Sequence, residues 1–107
     1  MEIKKLADVF KALGDPTRLK IIALLNYRDC CVCELMPIFN VSQPSISKHM
    51  QRLKVTDLVT ETRKGQWVFY SLNRSKLAEI QSSLENFPDL SETFKELEEK
   101  GLLVSCD

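Results

Sequence analysis

Residues 30–53, CCVCELMPIFNVSQPSISKHMQRL, contain two short helical patterns with almost no chain between them. Pro37 restricts where the first can begin. Proline is tolerated in a helix's first turn and breaks its interior, so a start near Cys33 or Glu34 fits and one several residues earlier does not. Asn40-Val41 reads as a tight turn, and Ser42 as the N-cap of the second helix. Ile46, Met50 and Leu53 give that helix, about 42–54, one apolar stripe. Two such helices joined by a turn of roughly three or four residues form a helix-turn-helix.

The flanking sequence is also mainly helical. Ile3, Leu6, Ala7, Phe10 and Leu13 predict an amphipathic helix over 3–13 that Gly14 stops. Asp15-Pro16 reads as an N-cap followed by proline in the first turn. Leu19, Ile22, Ala23 and Leu25 mark the next helix's apolar face; it ends near Asn26, and 26–29 is a loop. Downstream, Val59 to Arg63 alternates and Trp67 to Leu72 is rich in aromatic and branched residues. Lys64-Gly65-Gln66 turns between them, so 59–72 is a β-hairpin. Leu77, Ile80, Leu84 and Phe87 predict a fifth helix ended by Pro88. Leu90, Phe94 and Leu97 predict a short sixth, closed by Gly101; the two span about 75–100. The expected architecture is one domain over 1–107, mainly α with a β-hairpin wing: a winged helix-turn-helix.

The chain has no net charge, but its charge is segregated. Residues 42–76 carry seven Lys or Arg against two acids, net +5, whereas 77–107 carry eight acids against two lysines, net −6. A basic middle followed by an acidic tail points to a local anion-binding face. In helix 42–54 the side chains of Gln43, Ser45, Ser47, Lys48, Gln51 and Arg52 avoid the apolar stripe. Small hydroxyls let a helix backbone approach DNA, and a helix N-terminus favours phosphate. The candidate DNA contacts are Ser42, Gln43, Ser45, Ser47, Lys48, His49 and Arg52, with Arg63, Lys64 and Gln66 from the hairpin. His49, the only histidine, borders the stripe, which favours partial burial or a phosphate contact over metal ligation. A solvated mixed-charge helix is the plain alternative; turn, hairpin and charge segregation together outweigh it.

Three of the four cysteines fall within residues 30–33. No apolar run approaches the roughly 20 residues a membrane span needs, and MEIKKLADVF lacks a signal peptide's apolar core, so the expectation is a cytoplasmic chain without membrane association. There clustered cysteines are thiols suited to metal, metalloid or redox chemistry. Soft thiolates suit arsenite, antimonite, cadmium, lead or Cu(I). Cysteines at i and i+2 lie about 200° apart on an ideal helix and on the same side of an extended segment. Cys31 and Cys33 can therefore share one ion only if their segment departs from regular helix. The plain alternative is that buried cysteines are small apolar fillers. A thiol enzyme is disfavoured, because there is no general base near the cysteines and no βαβ pattern.

The blocks FKALGDPTRLKIIALL, CVCEL, VSQPSISKHMQRLK and TRKGQWVFYSLN, covering 10–72, resemble the ArsR/SmtB family of metal-sensing transcriptional repressors, and the arsenic-responsive type most. The resemblance implies a homodimer joined through the first and fifth helices. It also implies double-stranded operator DNA as partner, held without inducer and released when arsenite or antimonite binds cysteine thiolates at the start of the third helix. Cys31 and Cys33 match the family's ligands, while the third ligand's usual position is Met36, a thioether. Cys30, Cys106 or an outside thiol such as glutathione would then complete the site. Helix 77–87 has no histidine for the zinc or nickel site of other members. No cysteine precedes Cys30, which favours the metalloid over cadmium or lead. Thr56-Asp57 replaces the family's Ala-Gly before Leu58-Val59. A thiol-redox or reactive-sulfur repressor on the same fold is the main alternative.

Overall fold

The computed structural model describes residues 1–104. The element order is α1 (Ile3–Leu13), α2 (Pro16–Tyr27), β1 (Cys30–Cys31), α3 (Val32–Phe39), α4 (Gln43–Val55), β2 (Val59–Lys64), β3 (Trp67–Leu72), α5 (Arg74–Glu85) and α6 (Ser91–Glu99). Asp15 caps α2 by accepting from the Arg18 N–H at 3.0 Å, with Pro16 in the first turn. α3 and α4 form the helix-turn-helix, and β2 and β3 form the wing.

The expected hairpin is part of a larger sheet. β1 pairs antiparallel with β3, Cys30 opposite Tyr70 and Cys31 opposite Phe69, giving the order β1-β3-β2. Two residues are too few to show strand periodicity, so the cysteines announce their chemistry and not their pairing. Gly65, at φ +63°, makes the two-residue turn of the wing with Gln66, between the paired Lys64 and Trp67. A hairpin turn this tight needs positive φ, which glycine adopts freely.

Two other sharp turns use left-handed residues that are not glycine. Asn40 (φ 54°) closes α3, and Asp57 (φ 60°) closes α4. At α4 the Asp57 N–H donates to the Lys54 carbonyl and the Leu58 N–H to the Leu53 carbonyl, at 3.0 and 3.1 Å. This is a Schellman end, with Leu53 and Leu58 both fully buried beside it. Asp57 thus takes the left-handed place that glycine fills in the resembled pattern. The Asn73 side chain locks this corner by donating to the Asp57 carbonyl at 2.8 Å.

The core is centred on Ile21, Leu25, Leu35, Ile46, Met50, Leu53 and Leu58. The stripe Ile46–Met50–Leu53 is buried as the spacing predicts. The inward faces of α1 and α2 are turned from the expected ones. α1 buries Leu6, Val9 and Ala12, leaving Ile3 and Phe10 exposed; α2 buries Ile21, Ile22 and Leu25, leaving Leu19 exposed. α2 also runs through Tyr27, past the expected end at Asn26, and α5 stops at Glu85, leaving Leu84 and Phe87 exposed. α6 buries none of its residues.

Asp57 can be tested directly. Asp57→Val should lower stability by about 1–2 kcal/mol, because a branched side chain fits the left-handed region poorly. Asp57→Gly should leave it within about 1 kcal/mol of the parent. Urea denaturation of both variants measures the contrast.

Candidate sensor thiols and nucleic-acid interface

The strand geometry of β1 separates neighbouring thiols, since successive strand side chains point to opposite faces. Cys30 turns into the core, where its thiol donates to the Arg28 carbonyl at 3.5 Å. Burial pushes that thiol up, and the nearby Glu34 carboxylate adds to the shift. Cys31 is also buried but lines a different hollow.

Cys31 is both the end of β1 and the N-cap of α3. Its backbone is extended (φ −85°, ψ 151°), and its Sγ accepts from the Cys33 N–H at 3.3 Å. Glu34 returns the bond, its Oε1 accepting from the Cys31 N–H at 2.8 Å. This is a capping box with a thiol in the place that serine or threonine usually fills. Cys33, in the first turn of α3, is exposed. Its side chain is within hydrogen-bonding reach of the Cys31 thiol, and that bond, followed by partial desolvation, pushes the Cys33 thiol up.

The two sulfurs therefore meet without unwinding the helix. The expectation of a distorted start to α3 is corrected: the departure from helix is the cap residue, which is extended in any ordinary helix start. α3 begins at Val32, and Pro37 lies in its second turn. Cys30 and Cys33 do have the C-x-x-C spacing of redox pairs, but Cys30 lies in the core and Cys33 at the surface.

Cys31, Cys33 and Met36 line a cleft of about 290 Å³ together with Gln43 and Ser47 of α4 and Trp67 of the wing. Cys30 lines a separate hollow with Leu24, Tyr27 and Ile38. Among the described residues, no group of three His, Cys, Asp or Glu side chains stands together as a metal site. Cys106 lies outside the described residues. The donor set in the cleft is thus two thiols, with a thioether in its lining.

On α4, Ser42, Gln43, Ser47, Lys48 and Arg52 are exposed and Ser45 is half-buried. Ser42 holds the N-cap position without a side-chain cap bond. His49 is largely turned inward. Its Nδ1 lies 3.3 Å from Arg18 Nη1 and 3.8 Å from Asp15 Oδ2, tying α4 to the start of α2. Arg52 lines a groove with Lys5, Lys11, Arg18 and Lys76, on the side of α4 away from the wing. In the wing, Arg63, Lys64 and Gln66 are exposed, and Lys64 Nζ sits 5.3 Å above the Phe69 ring.

Sequence reasoning missed the ties between α4 and the wing. Lys54 Nζ meets Glu61 Oε2 at 2.9 Å, and the Tyr70 hydroxyl donates to the same oxygen at 3.3 Å. Lys54 holds the Glu61 carboxyl below the usual range, while burial and Glu61 raise the Tyr70 hydroxyl. Only the paired register of β2 and β3, with Glu61 opposite Tyr70, could have signalled that contact.

Residues 15–63 match the model of the bacterial regulatory proteins of the arsR family. The transcriptional repressor SdpR of Bacillus subtilis is 42% identical over 80 residues, which cover 75% of this chain and 89% of SdpR. The chain belongs to the ArsR family. An arsenical resistance operon repressor of Staphylococcus xylosus is 39% identical, over 79% of this chain and 82% of its own. The solved ArsR-like transcriptional regulator from Rhodococcus sp. RHA1 superposes with a TM-score of 0.70 at 28% identity, over 91% of this chain and 86% of its own. As an ArsR-family member with a winged helix-turn-helix, the chain is a transcriptional repressor of a DNA-binding class. Among the described residues, no helix is long and apolar enough to cross a membrane.

The cap and the thiol can be separated by substitution. Cys31→Ala removes the acceptor and should cost about 1 kcal/mol of stability; Cys31→Ser retains an N-cap oxygen and should cost less. Thermal denaturation of the two variants reads the difference.

Proposed function

We propose that this ArsR-family chain is an arsenical-responsive repressor. The ligand-free homodimer holds operator DNA, and arsenite or antimonite captured by Cys31 and Cys33 releases it. The observation that carries the reading is the Cys31–Cys33 thiol pair, in a cleft shared with Gln43 and Ser47 of α4 and Trp67 of the wing. The similarity to arsenical resistance repressors supports the choice of ligand. Exposed Ile3 and Phe10 on α1, Leu84 on α5 and Phe87 just beyond it support a dimer through these two helices.

The chemistry is an exchange of hydroxyls for thiols. Arsenous acid and three thiols give three As–S bonds and three waters, with arsenic still trivalent. Cys31 and Cys33 supply two sulfurs, and an outside thiol such as glutathione supplies the third. Cys30 would have to break β1 from β3 to reach the cleft, since it points into the core. Once bonded to arsenic, the Cys31 sulfur is drawn from the Cys33 N–H it caps, so binding strains the start of α3. Coupling of about 1–3 kcal/mol is enough to shift affinity for a second ligand five- to roughly 150-fold.

Operator DNA would meet Gln43, Ser45, Ser47 and Lys48 on α4, with Arg63 and Lys64 of the wing on phosphates. Neutralising Arg63 and Lys64 together should weaken operator binding and flatten its logarithmic salt dependence by about one unit for each phosphate the wing no longer neutralises. Fluorescence anisotropy across a salt series measures this; an unchanged slope takes the wing tip out of the interface.

The thiol assignment is tested by induction. Cys31→Ser and Cys33→Ser should keep operator binding and lose release by arsenite. Release that persists in either variant overturns it. The pH dependence separates the metalloid from cadmium or lead. Arsenous acid exchanges hydroxyl for thiol with no net proton change while the thiols are protonated. A divalent cation displaces a proton from each thiol, so its affinity should climb about tenfold per pH unit for each proton displaced. The raised Cys33 thiol extends that climb above the ordinary thiol range. Calorimetry at several pH values should show a flat arsenite profile and a steep cadmium one. The closeness of the two thiols and the exposure of Cys33 also favour a redox reading, in which both thiols give up two electrons and two protons to an oxidant. Release by peroxide with arsenite inert would replace the arsenical proposal by that one.

A further inference from the structure

Trivalent arsenic forms three bonds, and the cleft offers two thiols. One valence is left over. Inorganic arsenite must fill it with a sulfur brought from solution. An arsenic that already carries a carbon substituent needs nothing more. The walls beside the thiols suit such a substituent. Trp67 lines the cleft and stays 47% exposed, outside the buried core cluster. Val68 and Met36 add apolar surface, and the Tyr70 hydroxyl is already engaged by Glu61.

We infer that this cleft is a site for trivalent organoarsenicals, R–As(OH)2, with arsenic on Cys31 and Cys33 and the organic group R against Trp67. The inference rests on the thiol pair proposed above and names a ligand class for it. Two thiols replace two hydroxyls, two As–S bonds form, two waters leave, and the As–C bond is kept. Arsenic stays trivalent and no electrons move. The reaction is second order overall, where capture of arsenite also needs an outside thiol and the loss of that molecule's freedom. An aromatic R gains contact with the indole ring, which favours offset or edge-to-face pairing.

Trp67 is the single tryptophan of the chain, so its fluorescence reports on the cleft itself. The experiment titrates the full chain, reduced with a phosphine in thiol-free buffer, with phenylarsine oxide, methylarsonous acid and arsenite. Trp67 emission, intact mass and operator release are followed together. Phenylarsine oxide should change the emission at one equivalent, add one phenylarsenic per chain with loss of two waters, and bind at least roughly tenfold tighter than arsenite. Cys33→Ser should abolish the stable adduct. Trp67→Ala, scored by mass-spectrometric competition, should narrow the preference for phenyl over methyl by roughly fivefold or more. Equal binding of phenylarsine oxide and arsenite without added thiol overturns the inference, as does an unchanged phenyl-to-methyl preference in Trp67→Ala. If arsenite with glutathione releases DNA and the organoarsenicals bind no better, this inference falls and the repressor reading stands. If phenylarsine oxide occupies the pair with the Trp67 preference intact and no arsenical releases DNA, the site stands and the repressor reading falls.

Discussion

The short pairing of β1 with β3 fixes the geometry on which the rest depends. It consists of two residues, and an isolated pairing of that length would not persist in water. It is held at both ends by something other than the sheet. Cys30 is anchored in the core, and Cys31 is anchored as the cap of α3 through the Cys33 N–H and the Glu34 carboxylate. The strand thereby aims the two thiols in opposite directions. A slip of one residue would exchange their faces. Register, more than the number of cysteines in the sequence, sets the donor count in the cleft at two.

The same segment places the thiols relative to both arms of the reading head. α3 packs on α4 through Leu35, Ile46 and Met50, all buried. Short left-handed corners at Asn40 and Asp57 leave little slack between α3, α4 and the wing. Protein interiors are close-packed and shift between discrete arrangements rather than yielding gradually. A bond formed at Cys31 therefore acts on a stiff unit. The outer helices contrast with it. The radius of gyration is 19.3 Å, against roughly 13 Å for a compact chain of this length, and α6 contributes no buried residue. Apolar side chains on α1, α5 and α6 are left facing outward, as expected of surfaces meant for a second copy.

Much of this is legible in the residues, for reasons that differ by element. The stripe Ile46–Met50–Leu53 is long enough for helical periodicity to declare itself, and Gly65 marks the wing turn. Periodicity places α1 and α2 correctly but not their buried faces. Each is apolar on more than one side, and periodicity alone does not tell core from interface. Ile3 and Phe10 look like core residues because a partner surface uses the same chemistry. β1 is invisible in the sequence because two residues carry no period. The cap role of Cys31 is hidden because thiols are not among the usual N-cap groups. For Cys31 and Cys33, strand and helix angles give opposite answers, and the structure resolves the conflict by placing one cysteine in each.

The contacts around Glu61 suggest how occupancy of the cleft reaches the end of α4 as well as its start. Glu61 accepts from Lys54 on α4 and from Tyr70 on β3, and both Glu61 and Tyr70 line the cleft. Tyr70 also stands opposite Cys30 in the sheet. One carboxylate thus joins the recognition helix, the wing and the strand that pairs with the sensor segment. An exposed ion pair by itself contributes little stability. Its value here is positional: the two anchors of α4, Gln43 and Ser47 near the thiols and Lys54 on Glu61, lie along one flank of the helix. A ligand seated between α3 and the wing bears on that flank at both ends. The response it favours is a tilt of α4 relative to the wing, more than an unravelling of α3.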